Sequence, residues 1–173
     1  VALADTIEHF QKQGITEFVL DLRYNNGGAM ASARKLSEML VPEGNEGNTF
    51  VKEEYNGLLM KSYKEAHNWT ADSFQIDFRK PEDIDSVNTR LDIDQLYVLT
   101  TSSTASASEM IIYGLEPYMD VIQIGEQTHG KYYASATFSD EDEHSWAIQP
   151  IILRLASAND NLNYSEGLSP DNP

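Results

Sequence analysis

Leu3, Ile7 and Phe10 recur three and four residues apart at the start of the chain, and the polar Q-K-Q and then Gly14 follow them. That spacing predicts one short amphipathic helix stopped by glycine. The next segment, E-F-V-L-D-L-R, carries Phe18, Val19, Leu20 and Leu22 almost without interruption. Such a run suits a strand covered on both faces, as in a parallel sheet. Y-N-N-G-G breaks it. From Ala29 to Leu40 the residues Ala29, Ala33, Leu36 and Leu40 return to helical spacing, and Pro42 with Gly44 ends them. The order is strand, glycine turn, helix.

Between about 43 and 94 the texture changes to Asn, Gly, Glu and Asp with scattered aromatics such as Tyr55, Trp69 and Phe74. This predicts loops and a hairpin or two, an excursion from the core. Q-L-Y-V-L-T over 95–100 is a second apolar strand, followed by a helix from about Ser106 to Tyr118 and a third strand, V-I-Q-I, over 121–124. That is a β-α-β rhythm. S-W-A-I-Q-P-I-I-L-R-L over 145–155 reads as one or two further strands, with Pro150 requiring an edge or a bulge. The pattern predicts an α/β fold in a single domain over 1–173. The opening V-A-L-A-D-T-I-E-H-F reads as the middle of a helix, and hence as part of a longer chain.

The length of 173 residues suffices for one core. A formal charge of −16, from 28 acidic against 12 basic residues, disfavours nucleic acid and anionic membrane surfaces as partners. No apolar stretch reaches the roughly 18 residues of a membrane span. The absence of cysteine removes thiolate chemistry, disulfides and cysteine-rich zinc sites, and leaves the compartment open. No His or carboxylate set has metal-ligand spacing. The acidic run D-E-D-E at 140–143 reads as a solvated turn. Asn159 to Asn163 lacks the glycine and terminal glutamate of a calcium loop.

T-S-S-T-A-S-A-S-E-M, Thr101 to Met110, places small side chains where a strand ends and a helix begins. Unpaired amides at a helix start stabilise an oxyanion, and a serine there can attack a carbonyl. Ser106 and Glu109 also fit a capping box, in which each satisfies the other's backbone donor, and this stretch taken alone reads first as that cap. A nucleophile needs a base. Of His9, His67, His129 and His144, only His129 in T-H-G-K has a suggestive context, and it reads first as a polar loop residue. The G-x-S-x-G turn of a conventional triad is absent. Lys131 lies behind the V-I-Q-I strand and the small turn residues Gly125 and Gly130, a setting for partial burial, although a lysine in a loop is by default a surface residue. A lysine serves as general base when desolvation lowers its pKa by about 3 units, at about 4 kcal/mol.

L-D-L-R-Y-N-N-G-G, then T-A-S-A-S-E, then I-G-E-Q-T-H-G-K together resemble the S41 family, the C-terminal processing or tail-specific peptidases. Y-S-E-G-L-S-P-D over 164–171 resembles its closing element, so the likeness covers most of the chain. The resemblance implies a ClpP/crotonase-like core. It implies peptide hydrolysis through an acyl-enzyme with Ser106 as nucleophile and Lys131 as base, 25 residues apart. The amide of Ala107, with that of Gly27 or Gly28, forms the implied oxyanion hole. No cofactor is implied. The expected partner is a peptide or protein substrate, delivered by an upstream PDZ-like module absent from this chain, and the expected compartment is periplasmic or otherwise extracytoplasmic.

The sequence departs from the family pattern at the third catalytic position. Many relatives carry glutamine four residues past the lysine, where this chain has Ser135. Others carry aspartate eleven past the nucleophile, where it has Pro117 preceded by Glu116. Glu116 and Ser135 are therefore the candidates. Two other readings stand beside the peptidase. One is a catalytically impaired peptide- or ligand-binding module of the same fold, and the other is an enzyme acting on other acyl substrates such as thioesters. The S-A-R-K tetrad over 32–35 lacks the companion motifs of penicillin-recognising enzymes. Asp21 and Arg23 read as a structural charge pair.

Overall fold

The computed structural model describes residues 2–80, 89–140, 146–159 and 164–173. The predicted first helix is α1, Ala2–Gln13, which buries Ile7 and ends at Gly14 with φ +64°. The strand that follows, β1 (Phe18–Asp21), lies at the edge of a parallel sheet of order β1, β4 (Gln95–Thr100), β5 (Asp120–Gly125). The register pairs Leu20 with Val98 and Val98 with Gln123. Leu96 and Val98 are wholly buried on one face, whereas Val19 on the other is 56% exposed. The two-sided burial expected for β1 is thus not seen. Its side chains alternate between half-buried and exposed, with Phe18 on the covered face packing on Phe10 of α1.

The glycine turn leads into α2 (Met30–Leu40), with Ala29 at its N-cap. The excursion is more ordered than its composition predicts. It contains β2 (Thr49–Tyr55), α3 (Gly57–His67), a single 3-10 turn at Asp72–Phe74 and β3 (Gln75–Asp77). Helix α3 was hidden because it buries no residue fully. Asn56 starts it by accepting from the N–H groups of Leu58 and Leu59, and Tyr55, Tyr63, Trp69 and Phe74 form an aromatic cluster around it.

Strands β3, β2, β9 (Ile151–Ser157) and β6 (Tyr133–Ser135) make an antiparallel sheet, so the excursion is woven into the second half of the chain. Strands β7 (Phe138–Ser139) and β8 (Ala147–Ile148) form a separate two-stranded ribbon. Pro150 falls between β8 and β9, outside any ladder. The acidic run lies outside the described residues except for Asp140, as do His144 and most of the 159–163 segment.

Helix α4 (Ala107–Leu115) is shorter than the predicted 106–118, and all nine residues are buried. A helix buried on every side belongs in a core. It packs on α2 and touches β5 of one sheet and β2 and β9 of the other. Gly114 meets the Phe50 ring so closely that a Cβ there would lie 2.2 Å from it. The last residues run beside β5: Gln123 N–H donates to Asp171 (2.8 Å), and Gly125 N–H donates to the Asn172 carbonyl (2.9 Å). Among the described residues no helix is long and apolar enough to cross a membrane.

Candidate active site

Parallel strands open their carboxyl ends onto a shared crevice. Here the three motifs singled out in the sequence follow the ends of three adjacent strands: Y-N-N-G-G after β1, T-S-S-T-A-S-A-S-E after β4 and E-Q-T-H-G-K after β5. Their loops are tied across the strand ends. Leu22 N–H donates to the Leu99 carbonyl (3.0 Å), and Glu126 N–H to the Thr100 carbonyl (3.1 Å).

Ser106 stands at the N-cap of α4 with φ 60° and ψ −118°, and it is half-buried. Positive φ is uncommon for a residue with a Cβ, and such strain persists where the surroundings hold it. The glycine turn supplies part of that hold. A Cβ on Gly27 would lie 2.6 Å from the Ala105 carbonyl and 2.8 Å from Ser106 Cβ, so only a residue without a side chain fits against the serine.

Asn25, which the sequence did not single out, organises this turn. Its carbonyl accepts from Ala105 N–H (3.1 Å) and its Oδ1 from Gly27 N–H (3.0 Å), while Ser108 Oγ donates to the same oxygens. Gly27 N–H is therefore engaged. The N–H groups of Gly28 and Ala107 have no hydrogen-bond partner among the described residues.

Glu109 is fully buried, and its carboxylate gathers the site. One oxygen accepts from Ser106 N–H (2.7 Å) and Lys131 N–H (3.0 Å). The other accepts from Thr128 Oγ1 (2.6 Å) and Gly130 N–H (2.6 Å). The expected capping interaction is present at Ser106, but it is one of four. Thr128 Oγ1 also accepts from Leu168 N–H (2.7 Å), which links the closing segment to the same group. Tyr113, one helical turn past Glu109, packs with Tyr164, which in turn packs with Tyr132. Burial pushes the Tyr113 and Tyr164 hydroxyls above their ordinary range.

Lys131 is exposed, as a surface lysine in a loop would be, and not partly buried. Its backbone is held inside by Glu109, but no described wall encloses its side chain. His129 is exposed too, its N–H donating to the Thr104 carbonyl (2.9 Å). Ser135 sits on β6, and its Oγ accepts from Gln149 Nε2 (3.1 Å). Glu116 caps the far end of α4 from Ser106. Asp21 and Arg23 form the charge pair anticipated, with a contact of 2.7 Å, and Arg23's hydrogen bond draws the Asp21 carboxyl below its ordinary value. Among the described residues no three His, Asp or Glu side chains converge as a metal site.

Fold and motif placement define an α/β protein whose candidate site lies at the carboxyl ends of a parallel sheet. The chain belongs to peptidase family S41, whose model matches residues 2–172. It is 26% identical over 170 residues to the carboxy-terminal processing protease CtpA of Bacillus subtilis (strain 168), covering 97% of this chain and 30% of that protein. To the chloroplastic carboxyl-terminal-processing peptidase 2 of Arabidopsis thaliana it is 27% identical over 172 residues, covering 99% and 28%. Among solved structures it is similar to a candidate S41 protease from Bacteroides fragilis NCTC 9343, with a TM-score of 0.78 and 32% identity over 98% of this chain and 40% of that one. The photosystem II D1 C-terminal processing protease shares the fold with a TM-score of 0.69 at 24% identity, covering 99% and 38%. The chain spans less than a third of the length of the curated relatives it matches.

Proposed function

We propose that this chain is the catalytic core of a serine endopeptidase that cuts protein substrates near their C-termini. Ser106 is the nucleophile and Lys131 the general base. The observation that carries this reading is that the N–H groups of Ser106 and Lys131 share one oxygen of Glu109, so their backbones are separated by no more than those two hydrogen bonds together. Ser106 Oγ attacks the scissile carbonyl as its proton passes to neutral Lys131 Nζ. The carbonyl oxygen, now negative, is received by the free N–H groups of Ala107 and Gly28; Gly27, already bonded to Asn25, shapes the turn instead. Collapse of the tetrahedral intermediate expels the amine, which takes the proton from Lys131 and leaves an acyl-enzyme on Ser106. Water then repeats the sequence, giving its proton to Lys131 and releasing the carboxylic acid and free serine.

Because Lys131 is exposed, the water exclusion that a lysine base requires comes, in this reading, from bound substrate. Of the two candidates for a third member, Ser135 lies four residues from Lys131, whereas Glu116 is separated from Ser106 by the length of α4. The named processing peptidases among the relatives support a protein substrate; an extracytoplasmic location and delivery by an upstream PDZ-like module belong to the same reading.

The second reading, a binding module of the same fold without turnover, is favoured by that same exposure of Lys131. Reaction of the full-length protein with a sulfonyl fluoride decides between them. Labelling of Ser106 that is lost in Lys131→Ala, with peptide cleavage lost in both Ser106→Ala and Lys131→Ala, supports the enzyme. A folded wild-type protein that neither labels nor cleaves supports the binding module.

A further inference from the structure

A buried carboxylate is tolerated when donors surround it, and a misplacement of about 1 Å in a catalytic group can lower a rate about 100-fold. Glu109 meets both conditions. All four of its contacts are donors: three backbone N–H groups and the Thr128 hydroxyl, whose oxygen is already accepting from Leu168 N–H and which therefore gives its proton to Glu109. An amide in its place would confront at least one N–H with another donor.

The four successive backbone N–H groups of Thr128 to Lys131 are all anchored inward. Thr128 donates to the Leu168 carbonyl (3.0 Å), His129 to the Thr104 carbonyl (2.9 Å), and Gly130 and Lys131 to Glu109. The loop cannot move relative to α4 without breaking several of these bonds. A Cβ on Gly130 would lie 2.4 Å from the Ser165 carbonyl, so the closing segment presses on the same loop from behind.

Resting on the Ser106–Lys131 reading, we propose that Glu109 is the positioning residue of this site. Its carboxylate sets the Lys131 loop against the strained Ser106 backbone, and Thr128 extends that joint to the closing G-L-S-P-D segment. Glu109 touches no substrate in this scheme. A helix cap alone would serve Ser106, but it would have no reason to bind the loop carrying Lys131.

The test uses the full-length protein with Glu109→Gln, Thr128→Val and the conservative Thr128→Ser. The readouts are peptide hydrolysis, sulfonyl fluoride labelling of Ser106, thermal unfolding and amide hydrogen exchange. We expect kcat to fall about 100-fold in Glu109→Gln and about tenfold in Thr128→Val, with KM changing less than about twofold and Thr128→Ser near wild type. Labelling should slow in step with kcat. Exchange should accelerate together in the segments 104–110 and 127–132. Wild-type kcat in folded Thr128→Val, or faster exchange spread evenly over the domain, would overturn the proposal. If Glu109→Gln does not fold, the two Thr128 variants decide. If the wild-type protein neither cleaves nor labels, the Ser106–Lys131 reading fails instead, and exchange still tests the joint: acceleration in both segments of Thr128→Val supports it, and acceleration in one alone refutes it.

Discussion

Gly27 and Ser106 touch where β1 and β4 end: a Cβ on the glycine would stand 2.8 Å from the serine Cβ and 2.9 Å from the Ala107 nitrogen. The obstacle is backbone and a strained residue, neither of which yields cheaply. Gly27→Ala is expected to displace the serine or the turn, lowering stability by about 1–3 kcal/mol, since its φ of +98° also disfavours a side chain. Ser106 labelling should fall at least about tenfold. Chemical denaturation and the labelling rate check the two effects separately.

Ser106 itself holds a left-handed φ of 60° at the start of a buried helix. Ser106→Gly removes the steric reason for strain, and glycine is also acceptable at an N-cap. It should unfold at an equal or higher temperature than Ser106→Ala, by about 1 kcal/mol in stability, while both variants lose hydrolysis. Thermal unfolding of the pair gives the answer; a less stable glycine variant would argue against strain at this position.

Helix α4 contains a glycine at 114, where propensity alone favours alanine by about 1 kcal/mol. The Phe50 ring reverses that preference, because the added methyl would lie 2.2 Å from it. Gly114→Ala should destabilise the protein by about 1–3 kcal/mol. Phe50→Leu should recover part of the loss in the double variant, and a double-mutant cycle in urea measures the coupling.

Glu53 on β2 is partly buried, and burial raises its carboxyl pKa despite the hydrogen bond from Tyr55. A raised folded-state pKa means that the folded protein holds this proton more tightly than the unfolded chain. Its effect on stability is therefore favourable at low pH and declines as pH climbs from the ordinary glutamate value through the raised one. Glu53→Gln should remove that decline, raising the unfolding temperature at pH 7 relative to wild type and closing the difference near pH 4. The same neighbourhood pushes Tyr55 up to about 12, through its own burial first and the Glu53 charge second. Its phenol should accordingly ionise later than the exposed tyrosines in an ultraviolet titration.

Residues near in sequence announced most of the elements. The spacing of Leu3, Ile7 and Phe10, the apolar strands 18–22 and 95–100 and the small-residue run before Glu109 are local patterns, because helix and strand periods act over a few residues. Helix α3 escaped notice because it buries nothing fully, and so leaves a weak apolar stripe. The one-sided burial of β1 was equally hidden, since Val19 and Leu20 look alike until the sheet has an edge and a covering helix.

What the sequence determined by itself was the set of motifs, their order and the family they belong to. Proximity was left to tertiary structure. The register of three parallel strands brings loops starting near residues 22, 101 and 126 to one end of the sheet. It makes Glu109 a junction rather than a cap, gives Asn25 its hold on Gly27 and leaves Lys131 exposed. The bonds from Gly130 and Lys131 to Glu109 join residues 21 and 22 positions apart, and no local period encodes them.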